Sequence, residues 1–150
     1  MLNLRILNKF YYEAFEGLID QLSAFIKGQI ENLRSNNSRN ALALFYEIFS
    51  QNSDKSPDGL KTNDTWAVFL DINYSSVFSK VNADKKFISM VAQKGVLAAA
   101  EVSPIQQTSS VLIKNSSSKS LVLAEFAVRS LEALVKTASP AFYHEQQFEE

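Results

Sequence analysis

The sequence predicts an all-α chain, an α-solenoid of about three stacked helix pairs forming a single domain over 1–150. Three observations carry that expectation. Only 4 glycines and 3 prolines among 150 residues argue against turn-rich sandwiches and barrels and against Gly-rich phosphate loops. Apolar residues recur every three or four positions along most of the chain, the period of an amphipathic helix. Short polar turns, partly basic, interrupt that period at spacings suited to a helical repeat. A chain of this length buries roughly 70% of the surface its unfolded form exposes, enough for one continuous core.

The first stripe is Leu4, Leu7, Tyr11, Ala14, Leu18, Leu22, Phe25 and Leu33. Gly17 and Gly28 interrupt it; each costs about 1 kcal/mol against Ala inside a helix, so a break is expected between Ser23 and Gly28. Over 39–51 a second stripe joins Ala41, Leu44, Phe45 and Ile48, and 52–63 (NSDKSPDGLKTN) is the clearest loop, with Pro57, Asp58 and Gly59 as turn residues. Asn63 or Asp64 then caps a helix bearing Trp66, Phe69, Leu70, Val77 and Val81. Asp84 caps the next, whose inward face reads Phe87, Ile88, Val91, Ala92, Gly95, Ala99 and Val102. Ser103-Pro104 is a helix-start signal, and that helix runs to Lys114. Its segment SSVLIK alternates as a strand would, but no partner strand is visible and helix is the better reading. The last strong stripe is Leu121, Ala124, Val128, Leu131 and Val135, after which Ser139-Pro140 starts a short terminal helix. Trp66, Phe69, Phe87, Val91, Leu121, Val128 and Leu131 are the expected core.

Three intrapair loops lie within LRSNNSRNALALF, FSKVNADKKFISMV and IKNSSSKSLVLAEF. Aligning them brings Arg39, Lys85 and Lys119 into register at offsets of 46 and 34, in the range of a HEAT or armadillo unit. No such pair buries its apolar face alone, so neighbours must stack.

Composition narrows function. With 15 Lys+Arg against 16 Asp+Glu the net charge is −1, which excludes a globally basic nucleic-acid binder. The absence of cysteine excludes disulfides, thiolate chemistry and Cys-ligated zinc, and it suits a reducing compartment. No stretch approaches the ~18–20 apolar residues of a membrane span. The N-terminus is broken by Asn3 and Asn8 and carries Glu13, Glu16 and Asp20, so it reads as mature structure of a soluble, intracellular chain. Hydrolase, phosphate-loop, zincin and dinucleotide motifs do not occur. The one histidine, His144, lies beside Glu145 with no orienting acid in a preorganised site. Neither an enzyme, a metal nor a cofactor is expected.

The loops do carry charge. Arg34, Arg39, Lys80, Lys85, Lys86, Lys114 and Lys119 flank them, and stacking would line these cations along one edge that attracts an acidic protein surface. Arg34, Lys80 and Lys114 suit helix C-termini, where the dipole favours cations. Arg39, Lys85, Lys86 and Lys119 begin helices, where it does not, and are the more informative four. No aromatic residues interleave with these cations, which places nucleic acid below a protein partner. Phe142, Tyr143 and Phe148 could instead cap the last repeat or dock on a partner, as in a helical scaffold.

The segment IENLRSNNSRNALALFYEIFSQ resembles the helix-loop-helix of TOG-type HEAT repeats, closest to those of CLASP proteins and the TOG array regulators of axonemal microtubules. DKKFISMVAQKGVLAAAEVSP resembles their next repeat, and IKNSSSKSLVLAEFAVRSLEALV the one after. The resemblance spans 29–136 and implies a partial TOG-like domain, about three repeats where the family pattern has about six. It further implies tubulin or the microtubule lattice as partner, bound through the edge of intra-repeat loops, and a place in the cytoplasmic cytoskeleton, cilium or axoneme. The tryptophan that family members often carry in their first loop has no counterpart, because the repeats that correspond to it are missing, and Trp66 falls on a helix stripe as a core residue.

Overall fold

A computed structural model describes the backbone of residues 1–51, 64–102 and 105–148, and side chains through 137 except at 105. Seven helices and no strand occupy the described residues: α1 (Leu2–Phe10), α2 (Tyr12–Ile30), α3 (Ser35–Gln51), α4 (Asp64–Ser79), α5 (Lys86–Val102), α6 (Ile105–Ser116) and α7 (Leu121–Phe148). SSVLIK is helical within α6. The expected loop at 52–63 and the start signal at Ser103-Pro104 lie outside the described residues.

The helices pack as hairpins in two rows. α2, α4 and α6 follow one another in the first row, and α3, α5 and α7 in the second; α1 lies across α2 and α3. This arrangement is compatible with a helical-repeat stack, in which each hairpin buries one face on its neighbours. α1 is held to α3 by Arg5, whose Nε donates to Glu47 Oε2 at 2.9 Å and whose Nη2 bonds Glu47 Oε1. That carboxylate raises the Arg5 pKa from its ordinary value.

Aromatic rings fill the junction of the first two hairpins. Trp66 lies 6.4 Å from Tyr12, 6.5 Å from Phe15, 5.9 Å from Phe49 and 5.5 Å from Phe69, ring to ring. Its indole N–H donates to the Tyr12 hydroxyl at 3.2 Å. Phe45 continues the cluster towards Tyr74 at 6.3 Å, and the Tyr74 hydroxyl donates to the Val96 carbonyl.

Several expectations are corrected here. α2 runs unbroken through Ser23 and Gly28, and the break lies at Tyr11, where φ is −135° and ψ is 54°. Both α2 glycines are exposed and would meet nothing within 4 Å. Burial of Phe15, Ile19, Ile26 and Ile30 offsets their roughly 1 kcal/mol each. The break also resets the helical phase. The α2 core stripe is Phe15, Ile19, Ser23, Ile26 and Ile30, while Leu18, Phe25 and Leu33 are exposed.

At the other end, Pro140 lies inside α7, which continues to Phe148, so Ser139-Pro140 does not start a separate helix; an interior proline lacks the N–H for one i→i−4 bond. Trp66 and Phe69 are fully buried and Val91 and Leu131 pack partly buried against the core, as expected. Phe87, Leu121 and Val128 are exposed instead, at 43%, 78% and 56%. Phe87 falls on the second residue after its helix cap, a position also exposed as Asn36 in α3 and Val122 in α7; Ile88 is the buried anchor. Leu121 and Val128 lie on the side of α7 turned away from α5 and α6.

Candidate partner-binding edge

The first two hairpin turns are built the same way from their caps. The Arg34 carbonyl accepts the amides of Asn37 and Ser38, and the Lys85 carbonyl those of Ile88 and Ser89. In the first two hairpins a serine four residues after the cap closes the turn: Ser38 Oγ donates to the Ile30 carbonyl at 2.7 Å, and Ser89 Oγ to the Val81 carbonyl at 2.6 Å. In the third hairpin Ser120 is the cap, its carbonyl accepting the Ala124 amide at 3.0 Å and its Oγ the Leu123 amide at 3.5 Å. Ala124 occupies the clamp position there.

The structural register is therefore Arg34, Lys85 and Ser120, and it is confirmed by burial. Ala41, Ala92 and Ala127, seven residues after the caps, are all buried; so are Leu44, Gly95 and Ser130, and Ile48, Ala99 and Leu134. Aligning Arg39 with Lys85 and Lys119 is corrected accordingly. Arg39 lies one turn into α3, Lys85 at its cap and Lys119 one residue before its cap. Arg34, expected near the end of α2, caps the start of α3.

The turns lie side by side. Lys85 Nζ donates to Ser35 Oγ, and Ser76 Oγ donates to Glu31 Oε1 at 2.7 Å, joining the first turn to the second. Phe78, near the end of α4, packs 6.3 Å from Phe126, near the start of α7, joining the second to the third. Arg34, Lys85, Lys86, Lys114 and Lys119 are exposed, and Lys80 is half-buried in the turn after α4. Glu31 and Asp84 share the same edge, and Glu31 lies 4.0 Å from Lys27. Lys85, Lys86 and Lys119 sit at helix N-termini, where the dipole repels cations; Lys114 lies in the last turn of α6, where it attracts them.

Arg39 belongs to a different surface. Its guanidinium sits 5.6 Å from the centre of the Phe87 ring, a cation–π arrangement. An aromatic residue does therefore accompany one of the seven cations, contrary to expectation. The two residues line an open groove of about 580 Å³ between α3 and α5, with Arg5, Tyr46, Met90 and Lys94. Sequence reasoning missed Lys94 of the groove and the clamp serines of the turns. The serines were findable as a repeated signal, the fourth residue after Arg34 and after Lys85.

The side chains of Phe142, Tyr143, His144 and Phe148 lie outside the described residues. No helix of the described residues is long and apolar enough to cross a membrane. No family model, no curated protein and no solved structure matches the chain.

Proposed function

We propose that the chain is a non-catalytic, TOG-like helical-repeat module that binds tubulin or the microtubule lattice within a cytoplasmic, cytoskeletal assembly such as the cilium or axoneme. The observation that carries this reading is the placement of Lys85, Lys86 and Lys119 at helix N-termini on adjoining turns. Local electrostatics disfavours cations there, so the positions ask for an external anion. The resemblance of the three hairpin segments to TOG-type repeats supplies the partner's identity, which charge alone does not. Arg34, Lys80 and Lys114 extend the positive edge, and Arg39 adds a cation in the neighbouring α3–α5 groove.

Rim charges of this kind set encounter rate and salt dependence more than they hold a complex together. In co-sedimentation with polymerised tubulin, binding weakens steeply as ionic strength rises, each single neutralisation weakens it modestly, and reversal of Arg39, Lys85, Lys86 and Lys119 to Glu abolishes it with helical content unchanged. Wild-type binding by the folded quadruple variant overturns the reading. A second reading, a scaffold or adaptor for a non-tubulin protein, draws on the α3–α5 groove, where Phe87 and Met90 are 43% and 50% exposed. Binding through those apolar side chains would fall less steeply with salt than binding at the lysine edge.

A further inference from the structure

α7 leaves open a face that its two counterparts cover. Gly95 of α5 turns towards α3, since a Cβ there would lie 3.0 Å from the Phe45 ring. Phe45 therefore belongs to the forward face of α3, together with Leu42 and Phe49, and all three are fully buried. By the cap register the same positions on α5 are Gln93, Val96 and Ala100, the first half-buried and the other two buried. On α7 they are Val128, Leu131 and Val135. Val128 is 56% exposed, Val135 is 60% exposed and Leu131 is half-buried, while Leu121, two turns earlier on the same stripe, is 78% exposed. These aliphatic side chains recur at seven-residue spacing from Leu121 to Val135, the seam of a helix-packing interface.

We propose that a second copy of the chain covers this face, the two α7 helices packing antiparallel about a two-fold axis near Leu131. Two features select that occupant. The opposite end of the stack is a different surface, where α1 lies across α2 and α3 and is held by the Arg5–Glu47 pair. A head-to-tail contact would seat α7 on the exposed Leu2, Ile6 and Phe10 of α1 and leave another open α7 at its end, whereas two open α7 faces satisfy each other in a self-closing, isologous contact. The flank of the seam is also complementary to itself. Glu125, Arg129, Glu132 and Lys136 are all exposed and alternate in sign along one ridge, Lys136 and Glu132 forming a solvent-exposed pair at 3.0 Å within the helix. In the antiparallel pair one axis sets Glu125 opposite Lys136 of the second copy and Arg129 opposite its Glu132. Because α7 starts at the cationic edge, the dimer carries its two edges at opposite ends.

The proposal does not rest on tubulin binding and is tested without it. Analytical ultracentrifugation of the full chain from low micromolar to submillimolar concentration should show a reversible species of twice the 16.8 kDa chain mass. Val128→Glu and Val135→Glu, both at exposed positions, should each raise the dissociation constant at least about tenfold, some 1.4 kcal/mol, with an unchanged helical spectrum. Glu125→Lys should weaken the dimer, and adding Lys136→Glu should restore it. A wild-type chain that stays monomeric throughout overturns the proposal. So does a dimer indifferent to both valine variants, or a charge reversal that its counterpart fails to rescue.

Discussion

Replacing Trp66 by alanine tests whether the first two hairpins are held by one shared ring cluster. The indole is fully buried and reaches Tyr12 and Phe15 of α2, Phe49 of α3 and Phe69 of α4. Truncating a fully buried tryptophan costs about 3–5 kcal/mol, the lost transfer energy plus the cavity left behind. For a chain of this size each kcal/mol lowers Tm by roughly 2–4 °C, so the midpoint should fall by about 6–20 °C. Trp66→Phe separates the terms. It keeps a ring in the cluster and removes the indole N–H bond to the Tyr12 hydroxyl, so it should cost only about 1–2 kcal/mol. The hydroxyl keeps a second partner in Glu16. Because Trp66 is the only tryptophan, urea unfolding must be followed by far-ultraviolet circular dichroism and not by indole fluorescence. A loss below about 1 kcal/mol for the alanine variant would place the ring outside the cooperative core and refute the packing described.

The hairpin clamps and the buried tyrosine give further tests. Ser38→Ala should cost about 1–2 kcal/mol, and Ser89→Ala less, near 0.5–1 kcal/mol, because the Val81 carbonyl keeps Gln93 Nε2 as a donor at 3.4 Å; equal losses in urea titrations would count against the clamp geometry. Tyr74 is buried and its pKa is raised by desolvation above the ordinary 10.0. The unfolded chain therefore releases this proton first, so the contribution of Tyr74 is complete below about pH 10 and declines as pH rises beyond it. Tyr74→Phe should flatten that alkaline decline in the stability-against-pH curve, and an unaltered slope would show that other groups cause it.

The helical class was legible because it depends on period, and period survives small errors of phase. Phase itself was not. The single non-helical residue at Tyr11 rotates the α2 stripe by one position, so Ile19 and Ile26 are buried where Leu18 and Phe25 were expected. Nothing in hydrophobicity separates those pairs; only the location of the break does. Leu121 and Val128 fail for a different reason. They are as apolar as any core residue, but their burial depends on a neighbour beyond α7, which a periodicity argument assumes without naming. The three loops were legible as turns between helices, while their register was set by matching cations. Matching caps and clamp serines would have aligned Arg34 with Lys85 and left Arg39 one turn inside the helix.

That register explains how cations come to occupy the helix starts. Serine, threonine, aspartate or asparagine at an N-cap is ordinarily worth about 1 kcal/mol over residues that cannot cap. Arg34 and Lys85 forgo it and add an unfavourable charge to the positive end of the dipole. In both hairpins the clamp serine one turn later ties the second helix to a carbonyl of the preceding segment, so closure of the hairpin does not need the cap side chain, although Lys85 also bonds Ser35 of the neighbouring turn. The third hairpin reverses the arrangement. It lacks the clamp, with Ala124 in its place, and there Ser120 caps the helix itself while the cation moves back one position to Lys119. A cation is thus kept at every turn, although its position shifts with whichever group closes the hairpin. Local rules broken with a compensating bond nearby mark places where a sequence serves something other than stability. Restoring the caps with Arg34→Asp and Lys85→Asp should therefore stabilise the fold by up to about 1 kcal/mol each, while weakening the proposed attraction of an acidic partner. Loss of stability in both variants would mean that the cations themselves hold the turns.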